Sequence, residues 1–307
     1  MGSIDYGGKV AIVTGSGAGL GRLYAKLLAS KGARVVINDM NPEAADAVVA
    51  EIKGAGGEAV ANYDSVTEGE SVVKTAVDTY GSVQILVNNA GILRDVSYHR
   101  MDEQQWDLVV KVHLYGTHAM CRGVWNIFRD QEYGRIVNIT SVNGLYGQFG
   151  QANYASAKSG IVGLSKTLAM EGVKRNIKVN VVAPGAGTAM TATVMPEEMV
   201  AAWLPDYVAP MVAVLASEEV PCTGSIFEAA GGWFGEVKYK RTTGAFFDIS
   251  DWENKPFTPE EVRDRFVEIT DWEESVFPED VRARKEIEPQ MLQVLQTMKA
   301  KKAAAKL

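Results

Sequence analysis

The chain has 307 residues, 47% hydrophobic and 22% charged, enough for one large α/β domain with an appendage or for two small domains. Its net charge of −7 argues against nucleic acid or an anionic membrane as the main partner. Cys121 and Cys222 make no metal-ligand spacing, no apolar run approaches the length of a membrane helix, and no secretory signal precedes the first apolar strand.

VAIVTG (10–15) is all apolar until it ends in glycine, the pattern of a strand buried on both faces. LGRLYAKLLASKG (20–32) follows as a helix closed by glycine, then ARVVINDM (33–40) as a second strand. A helix opening at Asn41-Pro42 runs to about Lys53. EAVANYDS (58–65), ILVNNAG (85–91), GRIVNITS (134–141), IKVNVVAPG (177–185) and SIFEAAGG (225–232) read as further strands with helices between them. This alternation predicts an α/β fold, a doubly wound parallel sheet covered by helices on both faces.

Three places along the predicted sheet edge carry chemistry: the first turn together with Asp39, the stretch Asn88 to Gly91, and the stretch Ser141 to Lys158. The first turn, Thr14-Gly15-Ser16-Gly17-Ala18-Gly19-Leu20-Gly21, follows a strand and opens a helix. Glycines let the backbone turn sharply and approach a pyrophosphate, and the helix start offers unpaired N–H groups. Asp39 ends the second strand, where an acid can hold an adenosine ribose hydroxyl, a role that its occurrence together with the loop favours over merely capping the helix that follows. Asn88-Asn89-Ala90-Gly91 closes the fourth strand at the edge where such sheets bind ligands.

The third place is Ser141, followed thirteen residues on by Tyr154 and then, four further, by Lys158. Residues i and i+4 share a helix face, so the phenol and the ammonium point into the same space. A cation beside a phenol favours the phenolate; lowering a tyrosine pKa by roughly three units takes about 4 kcal/mol. Tyr154 could then exchange a proton with a substrate oxygen held by Ser141. An amphipathic helix with a surface lysine is the plainer account of the Tyr154–Lys158 pair taken alone.

TGxxxGxG, NNAG, Ser141, Tyr154xxxLys158 and Pro184-Gly185, in that order, together resemble the short-chain dehydrogenase/reductase family over residues 7–235. NNAGILRD (88–95), VHLYGT (112–117), residues 133–160, TAMT (188–191), VAPM (208–211) and FEAAGGWFGEVKYKR (227–241) are similar, more narrowly, to the dehydrogenase units of the peroxisomal multifunctional enzyme type 2 family, nearest the fungal form. That family oxidises (3R)-3-hydroxyacyl-CoA; its fungal form carries two such units before a hydratase, against the single unit within these 307 residues.

The resemblance implies roles residue by residue. Ser141 would polarise the reacting oxygen, Tyr154 would be the acid/base, and Lys158 would hold the ribose of an NAD cofactor and lower the tyrosine pKa. Gly15, Gly19 and Gly21 would frame the pyrophosphate, Asp39 would select the ribose, Asp64 would approach the adenine and Asn89 would pack near the cofactor. Val182, Pro184 and Thr188 would lie near the nicotinamide, with Ser16, Leu20, Ala90, Gly91 and Gly185 also counted as cofactor-binding. Where the family usually has an asparagine as fourth catalytic member, this chain has His113. Histidine titrates near neutrality and could join a water chain behind Lys158; equally it could fill a helix contact between Val112 and Leu114.

TAMTATVMPEEMVAAWLPDY (188–207) falls where the family keeps a substrate lid, and Met190, Met195, Met199, Trp203 and Leu204 could line an acyl tunnel or simply pack. Beyond residue 240 the composition shifts, which divides the chain into a domain at 1–240 and a helical extension at 241–307. There Thr258 is set to cap a helix with Pro259 first and a stripe of Val262, Phe266 and Ile269. A second helix is expected near Pro289 with Met291, Leu295 and Met298 on one side.

The expectation is an NAD-dependent alcohol/ketone oxidoreductase acting on (3R)-3-hydroxyacyl-CoA, without metal and as a homodimer. A ketoreductase acting on a polyketide or steroid shares the chemistry. An NAD-sensing binding protein is the alternative of another class, and the presence of Ser141, Tyr154 and Lys158 together speaks against it. Ala305-Lys306-Leu307 is similar to a peroxisomal address, with a cytoplasmic location as the alternative.

Overall fold

Short, largely apolar strands of four to nine residues form the centre of the sheet. In β1 (Val10–Thr14) every residue is buried, and β2 (Arg34–Asn38), β3 (Glu58–Asn62), β4 (Ile85–Asn88), β5 (Gly134–Ile139) and β6 (Ile177–Gly185) pair with it in one parallel array. The computed structural model describes residues 3–187, 198, 202–248, 255–273, 275–278, 292, 295–296 and 299–300. The chain divides into two units, Met1–Val237 and Lys238–Leu307.

In the first unit the strand order is β3-β2-β1-β4-β5-β6, continued by β7 (Ile226–Ala230) and β8 (Trp233–Val237). The chain winds outward from β1 to β3, then crosses to β4 on the other side. This reversal opens a crevice outside the carboxyl ends of β1 and β4, the doubly wound arrangement expected from the sequence. One departure is β8, which runs antiparallel to β7. Gly231 and Gly232 form the two-residue connection with φ of 55° and 82°, the left-handed geometry that a tight hairpin needs. The alternation that identified the parallel strands carried no information about this added edge.

Helices cover both faces. Tyr24 and Leu28 of α1 (Gly19–Ser30) and Val48 and Ile52 of α2 (Pro42–Gly54) pack in one core with Val35 and Ile37. Val72 of α3 (Gly69–Tyr80) and Val124 and Phe128 of α5 (Gly116–Asp130) pack on the other face with Ile12 and Leu86. Burying each such side chain stabilises the fold by about 1.5–3 kcal/mol. The helix expected after Asn41-Pro42 is there, and the Asn41 side chain accepts from Ala44 N at 3.2 Å to cap it.

In the second unit Thr258 accepts from Glu261 N while the Glu261 carboxylate accepts from Thr258 N at 2.7 Å, a capping box on the short helix Pro259–Asp264. The following turn, Phe266–Ile269, leaves Phe266 exposed rather than completing a buried stripe. Strand pairing among the described residues of this unit is limited to two residues a strand, Arg241–Thr242 against Ser275–Val276. Met291 and Met298 of the expected second helix, Met190, Met195 and Met199 of the lid segment, Thr188, and Ala305-Lys306-Leu307 lie outside the described residues.

Candidate active site

The crevice at the strand reversal is a cleft of about 470 Å³. Its walls include Gly15, Gly19, Leu20, Asp39, Asn89, Ala90, Gly91, His113, Ser141, Tyr154, Lys158 and Pro184, so twelve positions singled out from the sequence meet in one cavity. Ser16, Gly21, Asp64 and Gly185 do not line it. Ser16 is buried, with its hydroxyl donating to Val13 O at 2.7 Å. A Cβ on Gly21 would stand 2.2 Å from Gly15 O, so that glycine permits close packing beneath the loop. The Asp64 carboxylate accepts from Ser71 Oγ and Asn62 Nδ2, which together hold its pKa below the ordinary value.

Three sets of bonds shape the glycine-rich wall. Thr14 Oγ1 accepts from Asn89 N and Ala90 N at 3.0 and 3.1 Å. Asn89 Nδ2 donates back to Thr14 O and Gly15 O, locking the loop to the end of β4. Asp39 accepts from Gly17 N at 2.9 Å and from Asn41 N at 3.0 Å. The helix cap is therefore Asn41, and Asp39 is turned to the glycine loop instead. A Cβ on Gly17 would come within 2.9 Å of that carboxylate, while one on Gly19, at φ 53°, would meet nothing within 4 Å. The loop is a cradle of bare backbone in front of an uncapped helix start, which fits a dinucleotide pyrophosphate.

The opposite wall stands on β5 and α7 (Ala152–Gly172). A buried chain of side chains pins the two beneath the cleft: Asn88 Nδ2 donates to Asn138 Oδ1, and Asn138 Nδ2 to Ser165 Oγ, each at 2.8 Å. Thr140 Oγ1 donates to Lys158 O at 2.7 Å, and Lys158 Nζ donates to Ile139 O at 2.7 Å. Ser141 begins the short helix α6 (Val142–Tyr146), its hydroxyl accepting from Asn143 N at 3.2 Å and pairing with the Tyr154 phenol.

His113 reaches the cleft from a single π-helical turn, Lys111–Tyr115, inserted between α4 (Glu103–Val110) and α5. Such a turn is a local distortion common at functional sites. Its ring meets Tyr154 edge-on, with centroids 5.0 Å apart and planes at 86°. Nε2 lies 3.0 Å from the nitrogen and 2.8 Å from the carbonyl oxygen of Ile92, accepting from the first or donating to the second according to tautomer, whereas Nδ1 is buried without a partner. Both accounts offered by the sequence keep support: the ring fills a packed contact, yet one nitrogen faces no protein group.

The electrostatics differ from the sequence expectation in two respects. Burial is the largest influence on Tyr154 and raises its pKa, partly offset by the Ser141 hydrogen bond. Lys158 is itself brought down to about 7 by burial, and its ammonium donates to Ile139 O. Burial first, and Lys158 second, depress His113 to about 3, so its imidazole is neutral rather than poised near neutrality.

Sequence reasoning missed Asn143 and Gln151, both in the cleft wall. Their positions, two after Ser141 and three before Tyr154, were the available signal. Among the described residues no group of three or more His, Cys, Asp or Glu could hold a metal, and no helix is long and apolar enough to cross a membrane.

Fold and cleft define the short-chain class of doubly wound oxidoreductases. The chain belongs to the short chain dehydrogenase family, whose pattern matches residues 9–199. It is 49% identical over 272 residues to mouse peroxisomal multifunctional enzyme type 2, covering 86% of this chain and 37% of that protein. It is 50% identical over 262 residues to the peroxisomal hydratase-dehydrogenase-epimerase of Neurospora crassa, covering 84% and 28%. The full-length peroxisomal multifunctional enzyme type 2 of Drosophila melanogaster superimposes with a TM-score of 0.81 at 40% identity, over 96% of this chain and 51% of that one. The chain thus spans between about a quarter and a half of the length of these relatives.

Proposed function

We propose that the protein is an NAD-dependent dehydrogenase of secondary alcohols, with (3R)-3-hydroxyacyl-CoA as its substrate. The observation that carries the reading is the meeting of Ser141, Tyr154 and Lys158 with the glycine loop in one cleft. Bound NAD supplies the acceptor for the hydride that leaves the alcohol carbon. Gly15, Gly19, Leu20, Asp39, Asn89 and Ala90 would hold the dinucleotide, and Lys158 would serve its ribose hydroxyls. Ser141 donates to the substrate oxygen, and Tyr154 takes the hydroxyl proton as the carbonyl forms. An alcohol thereby loses one hydride and one proton and becomes a ketone.

The 3-hydroxyacyl-CoA assignment rests on the resemblance to the peroxisomal multifunctional enzyme type 2 family, and a peroxisomal location is supported by the names of the relatives. Pairing of the long helices α5 and α7 across a two-fold axis would give a homodimer, which light scattering at micromolar concentration checks. The deciding experiment follows NADH absorbance with (3R)-3-hydroxybutyryl-CoA and with its (3S) isomer. Turnover of the (3R) form supports the reading. NAD binding with no oxidation of any secondary alcohol would transfer weight to a sensor.

A further inference from the structure

Behind the Ser141–Tyr154 pair runs a three-residue relay with a fixed direction. Asp95 Oδ2 accepts from Gln151 Nε2 at 2.6 Å, and Gln151 Oε1 accepts from Asn143 Nδ2 at 2.7 Å. A carboxylate can only accept, so Asp95 sets which way the Gln151 amide faces, and Gln151 in turn sets Asn143. Gln151 is only 5% exposed, so its amide has no bulk water with which to exchange these bonds. Each amide nitrogen carries two hydrogens and spends one on the relay. Both residues line the cleft, and Asn143 N also donates to Ser141 Oγ.

We infer that the Asp95–Gln151–Asn143 relay is a specificity device that admits a substrate with a neutral carbonyl in a 1,3 relation to the reacting carbon and rejects a free carboxylate there. The inference rests on the dehydrogenase reading above and deepens it. Asn143 and Gln151 line the same cleft as the serine that would hold the reacting oxygen, so their spare N–H groups would serve a second oxygen in a 1,3 relation to it. N–H donors serve an ester or thioester carbonyl well. A carboxylate would find the same donors, but among the described residues no lysine or arginine lines the cleft apart from Lys158, and the Asp95 charge stands behind the relay. Discrimination therefore comes from a repulsive group as well as an attractive one.

The relay also explains why a charged residue lies so near the chemistry without entering it. Asp95 is exposed and outside the cleft wall, yet it acts against ionisation of Tyr154. It is a positioning residue, acting through Gln151.

The test compares kcat/KM for the N-acetylcysteamine thioester of (3R)-3-hydroxybutyrate, free (3R)-3-hydroxybutyrate and 2-butanol, in the unmodified protein, Asp95→Asn and Gln151→Lys. The unmodified protein should favour the thioester over the free acid by about a hundredfold or more, chiefly through KM. Gln151→Lys puts a cation in place of the amide and should shrink that ratio about tenfold or more. Asp95→Asn, a conservative change at an exposed site, should shrink it in the same direction even if the lysine variant does not fold. Equal use of acid and thioester by the unmodified protein, or a ratio unmoved in Asp95→Asn, overturns the relay while leaving the dehydrogenase intact. No oxidation of any of the three overturns the dehydrogenase reading itself.

Discussion

Lys158 donates its ammonium hydrogen to Ile139 O at 2.7 Å and lies 5.6 Å from the centre of the Tyr154 ring. The fold thus buries this ammonium against a main-chain carbonyl, at a cost that shows as a pKa lowered by burial from 10.5 to about 7. Between those values the unfolded chain binds more protons than the folded one, so stability rises with pH. The contribution is complete above the unfolded value and is lost as pH falls through the folded one. Between about pH 7 and 9 the gain is of order 2 kcal/mol. Thermal unfolding of the cofactor-free protein should show this rise, and Lys158→Met should flatten it. Parallel pH profiles for the two proteins would mean that Lys158 stays charged in the fold.

Tyr154→Phe should reduce kcat by about 10²–10⁴-fold and leave NAD affinity within a few-fold. The ring keeps its edge contact with His113, and only the hydroxyl paired with Ser141 is lost. Substantial turnover in this variant, with binding measured by calorimetry, would remove Tyr154 from the acid/base role.

Asp39 should make the protein prefer NAD to NADP. A 2′-phosphate beside this carboxylate would place like charges about 4 Å apart, a repulsion of about 1–4 kcal/mol between effective dielectrics of 80 and 20. The neighbouring residues, Asn38 and Met40, bring no cation to offset it. Asp39→Ala should narrow the preference in kcat/KM about tenfold or more, with some loss of loop order because Gly17 N loses its acceptor. Equal use of both cofactors by the unmodified protein would contradict this.

How much of this was legible in the sequence depends on the range of the interaction. The parallel strands were legible because burial on both faces demands unbroken apolar runs, and the glycine loop because close backbone approach excludes side chains. For Asp39 the sequence favoured the glycine-loop side over a helix cap, but the bond to Gly17 and the cap supplied by Asn41 could not be read from it. The pKa directions were misread because they depend on burial, and adjacency of Tyr154 and Lys158 says nothing about Ile139 O lying closer to the ammonium. The Asp95–Gln151 bond joins residues 56 apart in the chain and had no local pattern to betray it.

Gly91 and His113 form the contact through which the loop after β4 can reach the chemistry. A methyl group on Gly91 would come within 2.2 Å of His113 Cε1, with both ring nitrogens about 3 Å away. The ring cannot yield freely, since Ile92 holds Nε2 and Tyr154 lies against it with centroids 5.0 Å apart. Gly91→Ala should therefore destabilise the protein by about 1–3 kcal/mol through overpacking. It should also lower kcat/KM, because the displaced ring carries Tyr154 with it. His113→Ala alone should cost stability by leaving a cavity beside the phenol. In the double variant the new methyl enters the space the imidazole vacated, so the two losses should sum to more than the measured one, by about 0.5–3 kcal/mol. Chemical denaturation of the four proteins, with kcat/KM measured on each, completes the cycle. Strict additivity in both readouts would mean that Gly91 and His113 act independently, and that the histidine has no hold on the cofactor loop.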